Sequence, residues 1–160
     1  MDFHYRYKLK RSDRKRIKEI LRSTGFFYDF EIKIAIDIVD LTLRKGEEIS
    51  GYHFVIAENE NKMIGFSCYG AAPCTVGSYD LYWFAVHKDF MNRGLGGKIL
   101  AHTESIITGK GGRNIWIETS SRSAYTPTRA FYKKKGYEVQ AELKDFYAPG
   151  DNKVVFLKKC

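Results

Sequence analysis

The 160-residue chain is 44% hydrophobic and carries 27 Lys and Arg against 19 Asp and Glu, a formal net charge of +8. That length holds one ordinary core, so a single domain over residues 1–160 is expected. The longest apolar run is the six residues 81–86, which excludes a membrane-spanning helix, and three cysteines without Cys-x-x-Cys spacing argue against a zinc cluster and fit a reducing, cytoplasmic compartment.

In chain order, His4 to Lys10 alternates as a first strand, and Ser12 is placed to cap a basic helix running to about Arg22 and ended by Thr24-Gly25. Eight Lys or Arg fall between Arg6 and Lys18. Ile17, Ile20 and Leu21 recur there at helical spacing, so these charges read as the solvated face of an amphipathic helix before they read as a nucleic-acid surface. Phe30 to Ile38 fits two periods: its apolar residues alternate as in a strand, while Ile32, Ala35, Ile36, Val39 and Leu43 also share one helical face. Tyr52 to Glu58 and Lys62 to Ala71 flank the turn Asn59-Glu60-Asn61 as a hairpin, and Ser78 to Val86 is a third strand rich in aromatics. A helix from Gly94 to Thr108 buries Leu95, Ile99, Leu100, Ile106 and Ile107 and stops at a glycine cluster. Arg113 to Thr119 is a short strand, and Gly136 to Asp145 pairs with Lys153 to Lys158 through Ala148-Pro149-Gly150-Asp151. Cys68 and Cys74 are expected on the hairpin face as small apolar groups.

The chemistry concentrates between Val86 and Leu100, where an apolar strand gives way to a turn holding Gly94, Gly96 and Gly97 and then to a helix. Such a turn aims free backbone N–H groups at an anion, and glycines let the backbone approach a phosphate closely. Arg93, Lys98 and Lys133 to Lys135 add positive charge for it. A P-loop is excluded because Ile99, not Ser or Thr, follows Lys98, and the dinucleotide pattern fails because its third glycine is again Ile99. A second segment, Arg129-Ala130-Phe131-Tyr132-Lys133-Lys134-Lys135-Gly136-Tyr137, follows Pro127 and reads as a short helix that Gly136 ends.

Together these segments resemble the GNAT superfamily of N-acetyltransferases, whose first signature runs Gln/Arg-x-x-Gly-x-Gly/Ala and whose second contains Ala-x-x-Tyr-x-x-x-Gly-Phe. Here the first reads Met91-Asn92-Arg93-Gly94-Leu95-Gly96, with Met91 where the family usually has Gln or Arg. In the second, Ala130 stands one position nearer to Tyr132 than in many members. The order of elements matches from about Tyr52 to Lys158. The resemblance implies an α/β fold with a mixed sheet flanked by helices, and it favours helix for Phe30 to Ile38.

It also implies acetyl-CoA as cosubstrate, no metal, and a small-molecule or peptide amine as acceptor, with homodimer formation left open and nucleic acid as a weaker alternative. The cosubstrate would be held by the backbone of Phe84, Ala85 and Val86 and by Met91, Asn92, Arg93, Gly94, Leu95, Gly96, Gly97 and Lys98. Tyr132 takes the place of the tyrosine that protonates the departing thiolate. Two carboxylates compete for the base, Glu118 at the end of Ile115-Trp116-Ile117-Glu118 and Asp80 six residues before Val86. Retention of these groups speaks against an acyl-CoA-binding module that has lost catalysis. The resemblance links substrate selection to the regions Gly25 to Ser50 and Phe146 to Asn152, where Phe26, Phe27, Tyr28, Phe146 and Tyr147 suit either an apolar or cationic acceptor or a packed core. His4, His53, His87 and His102 lack metal-ligand spacing, and Ser67 lacks the final glycine of a nucleophile elbow.

Overall fold

The computed structural model describes residues 2–160. Its elements are β1 (His4–Arg6), α1 (Asp13–Thr24), α2 (Asp29–Lys45), α3 (Glu47–Ser50), β2 (His53–Asn59), β3 (Lys62–Ala71), β4 (Ser78–Val86), α4 (Leu95–Gly109), β5 (Asn114–Ser120), α5 (Thr126–Lys134), β6 (Glu138–Ala148) and β7 (Asp151–Lys159). Seven strands form one sheet in the order β1-β2-β3-β4-β5-β7-β6. Every pairing is antiparallel except the central one, β4 with β5.

The sheet separates two cores. One joins α1 and α2 to the sheet through Ile17, Ile20, Leu21, Ile32, Ile36, Phe54 and Phe66. The other joins α4 and α5 through Leu95, Ile99, Leu100, Ile107, Tyr132, Ile117 and Phe156. Ile17, Ile20 and Leu21 are fully buried, which stabilises α1 by about 1.5–3 kcal/mol per side chain. The basic face of α1 is partly neutralised from within, Arg14 pairing with Asp40 at 2.7 Å and Arg16 with Glu19 at 3.1 Å.

Residues 30–38 are helical. Ile32, Ala35, Ile36 and Val39 all bury along one face of α2, and the Glu31 carboxylate accepts the Tyr28 N–H at 2.7 Å at the helix start. Two expectations near the N-terminus are corrected. Ser12 makes no capping bond; the Asp13 carboxylate instead accepts the Lys10 N–H at 2.6 Å, which turns the chain out of the sheet and shortens β1 to three residues. Arg6 then ties β1 down, donating to Asp13 at 2.8 Å and to Glu58 at 2.6 Å, both carboxylates being buried. Cys68 is buried as expected, but Cys74 is exposed in the β3–β4 loop at φ 61. The β6–β7 hairpin is longer than the sequence suggests, because Pro149-Gly150 alone, with Gly150 at φ 78, turns the chain.

Candidate active site

The central parallel pair is short. Ser78, Tyr79 and Asp80 of β4 pair with Asn114, Ile115 and Trp116 of β5, and beyond Asp80 and Trp116 the two strands part. Each remains fully paired on its outer side, β4 with β3 and β5 with β7. A bulge adds to the opening: Tyr69 pairs with Leu81 and Cys68 with Trp83, so Tyr82 is the extra residue of β4. At the far end the His87 N–H donates to Ile64 at 2.9 Å. Alternation along the strand turns the N–H and C=O groups of Val86 and Phe84 to the opposite, unpaired edge, whereas those of Ala85 face β3. The gap continues into a cleft of about 1320 Å³.

One wall of this cleft is the glycine turn. Asn92 at φ 59 and Gly94 at φ 77 adopt left-handed backbone on either side of Arg93, and α4 starts at Leu95. The first intrahelical N–H to find its carbonyl is that of Lys98, which donates to Gly94 at 3.2 Å. The preceding amides are the open N-terminal donors of the helix. A Cβ on Gly94 would meet nothing within 4 Å, whereas one on Gly96 would lie 3.4 Å from Phe84 and 3.8 Å from Phe131. Met91, Asn92, Gly94, Gly96 and Gly97 line the cleft together with Phe84, Ala85 and Val86.

The side chains of three further residues of the turn do not line the cleft. Leu95 is buried in the core, so only its backbone N–H is free to face an anion. The Arg93 guanidinium sits 5.9 Å over the Phe90 ring, outside the cleft wall. The Lys98 side chain leaves the cleft, with Nζ 5.6 Å over Phe3. Lys134 and Lys135 from the end of α5 take its place, and Lys135 Nζ would stand 2.7 Å from a Cβ on Gly97. These residues suit a pyrophosphate-bearing ligand: free amides, a cradle without Cβ atoms and a nearby ammonium.

Tyr132 lies on α5, which Pro127 opens and Gly136 follows at φ 86. It is 4% exposed, lines the cleft, and packs among Phe131, Tyr137, Phe156 and Phe84 at ring separations of 5.4, 5.6, 5.9 and 6.4 Å. Burial first, then the nearby Tyr125, raises its hydroxyl above the ordinary phenol range, so it holds its proton at neutral pH.

Both carboxylates also line the cleft. Asp80 is opposite Trp116, and Glu118 lies two residues further on the same face of β5. Their surroundings differ. Glu118 is exposed and bridges to Lys153 Nζ at 3.0 Å, while Asp80 has no ion-pair partner among the described residues. Burial first, and then the like charge of Glu118, pushes the Asp80 carboxyl above the ordinary carboxylate range.

A sequence model of the acetyltransferase (GNAT) domain family matches residues 50–139. A solved protein from Desulfovibrio desulfuricans assigned to the GNAT family superposes with a TM-score of 0.95 at 38% identity, covering 99% of both chains. This chain belongs to the GNAT family of acetyltransferases. The same fold recurs in an aminoglycoside 6′-N-acetyltransferase complexed with coenzyme A (TM-score 0.76, 15% identity, 99% of this chain and 97% of that one). It recurs again in the PaiA N-acetyltransferase of Thermoplasma acidophilum, also complexed with coenzyme A (0.73, 17%, all of both chains). No curated protein matches. Among the described residues no group of His, Cys, Asp and Glu is arranged to hold a metal ion, and no helix is long and apolar enough to cross a membrane.

Further cleft residues carry no local signature. Trp83, Trp116, Arg122 and Tyr125 line the GNAT cleft, and Arg122 stacks 4.3 Å over Tyr28 and 5.2 Å over Tyr125. Lys133 belongs instead to a small pocket beside β6.

Proposed function

We propose that this GNAT-family chain transfers an acetyl group from acetyl-CoA to a primary amine by direct attack of the amine on the thioester, without a covalent enzyme intermediate. The reading is carried by one juxtaposition: the parted β4–β5 edge, the open N-terminus of α4, a buried tyrosine and an unpaired carboxylate border one cleft. When bound, acetyl-CoA supplies an activated acyl carbon and a thiolate leaving group. The amides of residues 94–97, with Lys134 and Lys135, hold its phosphates, and the unpaired edge at Phe84 and Val86 orients its arm. An N–H at that edge also donates to the thioester oxygen as charge develops there. Tyr132 donates a proton to the sulfur.

Asp80 is assigned the acceptor's proton, directly or through one water, with Glu118 as the neighbouring charge that raises its basicity. Lys153 already occupies Glu118, which is why the order of the two candidates favours Asp80. The three free cysteines support the cytoplasm as its location. A thiol-release assay with a panel of primary amines, with the product identified by mass, tests the proposal. Amine-dependent release with N-acetyl product supports it; tight coenzyme A binding without release for any amine would leave an acyl-CoA-binding module.

A further inference from the structure

The acceptor end of the cleft combines aromatic walls with carboxylates, some of them already paired with cations. Four carboxylates line the cleft, those of Glu31, Asp80, Glu118 and Asp151. Two are paired with cations: Glu118 holds Lys153 at 3.0 Å, and Asp151 accepts from Ser120 Oγ at 2.5 Å with Arg122 Nε at 3.5 Å, while Glu31 accepts only the neutral Tyr28 N–H at 2.7 Å and keeps its charge. Asp80 and Glu31 are the two left without a cationic partner to face an incoming ammonium.

The rest of this end is apolar and flat. Tyr28 and Phe30 stack on each other at 5.5 Å and are 50% and 64% exposed, although both line the cleft. Arg122 lies 4.3 Å over Tyr28, and the neighbouring Phe27 packs on Trp83 at 5.4 Å. Tyr147 approaches from the β6–β7 hairpin; burial first, then the carboxylates of Glu118, Asp151 and Glu31, pushes its hydroxyl up to about 12, so it faces the cleft as a neutral phenol. Rigid rings bind a flat apolar body with little loss of side-chain entropy.

Resting on the transferase reading above, we infer that the acceptor is an amine with an aromatic body, the amine reaching Asp80 and the body lying against Tyr28, Phe30 and Tyr147. The two tryptophans of the chain, Trp83 and Trp116, both line the cleft, so intrinsic fluorescence reports occupancy independently of turnover.

The test titrates phenethylamine, methylamine, spermidine and kanamycin into the protein with coenzyme A bound, reading tryptophan emission, and measures thiol release with acetyl-CoA in parallel. Phenethylamine is expected to change the emission saturably and to be acetylated with kcat/KM about tenfold or more above the other three. The double variant Tyr28→Ala/Phe30→Ala is expected to raise its KM about tenfold while coenzyme A affinity stays unchanged. Saturable binding of phenethylamine without transfer would support the aromatic site and overturn the transferase reading. Preference for spermidine or kanamycin, or emission that responds to phenethylamine no more than to methylamine, would overturn the inference itself.

Discussion

Replacing Gly97 by alanine separates the stability of the glycine turn from its function, because the two are expected to move in opposite directions. The new Cβ would lie 2.7 Å from Lys135 Nζ and 3.0 Å from its Cε, well inside contact distance. The obstructing atoms are the free end of a flexible side chain, so the lysine swings away and the helix stays. Alanine in the first turn of α4 removes backbone freedom from the unfolded chain and adds about 0.5–1 kcal/mol of stability, a rise of roughly 1–4 °C in Tm for a chain of this size. The displaced ammonium is one that the proposed function sets against a phosphate. A hydrogen bond to a charged group contributes about 1.5–3 kcal/mol, and screening at this accessible turn favours the lower end, so the Kd for coenzyme A is expected to rise roughly tenfold. Thermal melting and calorimetry on the same preparation measure both quantities. Lys135→Ala should show nearly the same loss of affinity, and the double variant should add little to it, since both changes remove one contact. A Gly97→Ala protein that melts higher and binds coenzyme A as tightly as the parent would refute the assignment of Lys135 and of this face of the turn.

Tyr132→Phe keeps the ring among its aromatic neighbours and removes only the proton donor; turnover is expected to fall about a hundredfold while coenzyme A affinity stays within a few-fold, and near-normal turnover with chemistry rate-limiting would make the residue structural. Asp80→Asn is expected to depress the rate most at low pH and to recover at high pH, where free amine is abundant, with Glu118→Gln the milder variant in a pH–rate comparison; the reverse ranking would move the base to Glu118. The same Asp80→Asn change should raise Tm near neutrality. A carboxyl whose folded pKa lies above its unfolded value costs stability above the folded pKa and costs nothing below the unfolded one, so the gain should vanish below about pH 3.9, and a gain that persists there would deny the burial cost. Arg6→Ala strands the buried carboxylates of Asp13 and Glu58 and should cost about 3–5 kcal/mol in denaturant unfolding, without changing coenzyme A affinity measured on the folded protein.

Features that were legible in the sequence are those that backbone conformation imposes on residue type. Gly94 at φ 77 and Gly136 at φ 86 sit where a side chain would be strained, so the turn before α4 and the end of α5 show directly. Strand periodicity located β2, β3 and β4 to within a residue. Tertiary decisions were not legible. Residues 30–38 carry a strand's alternation, and they are helical because burying Ile32, Ala35, Ile36 and Val39 against α1 and the sheet outweighs local propensity. Lys98 is next to the glycines, yet its ammonium is turned to Phe3 outside the cleft, while that of Lys135 arrives from the end of α5. The pairing of Glu118 with Lys153 depends on the register that sets Ser120 against Lys153 across β5 and β7, a contact of long sequence separation.

The order of the two carboxylates and the opening of the cleft have one origin in the sheet. Gly77 accepts N–H groups from both Arg113 and Asn114, at 2.6 and 3.1 Å, which pins the start of β5 to the start of β4. From that point β4 follows β3 through the bulge at Tyr82 and β5 follows β7, so a parallel pair held at one end diverges at the other. Asp80 lies at the last paired position, where the strands are still close enough to bury it. Glu118 lies two residues beyond, where the gap has opened to solvent and to Lys153. The divergence that leaves the edge at Phe84 and Val86 without a partner strand therefore also leaves one carboxylate poorly solvated and the other exposed. Unpaired backbone at such an edge demands hydrogen-bonding partners, and an extended arm bearing amide groups supplies them as a missing strand would.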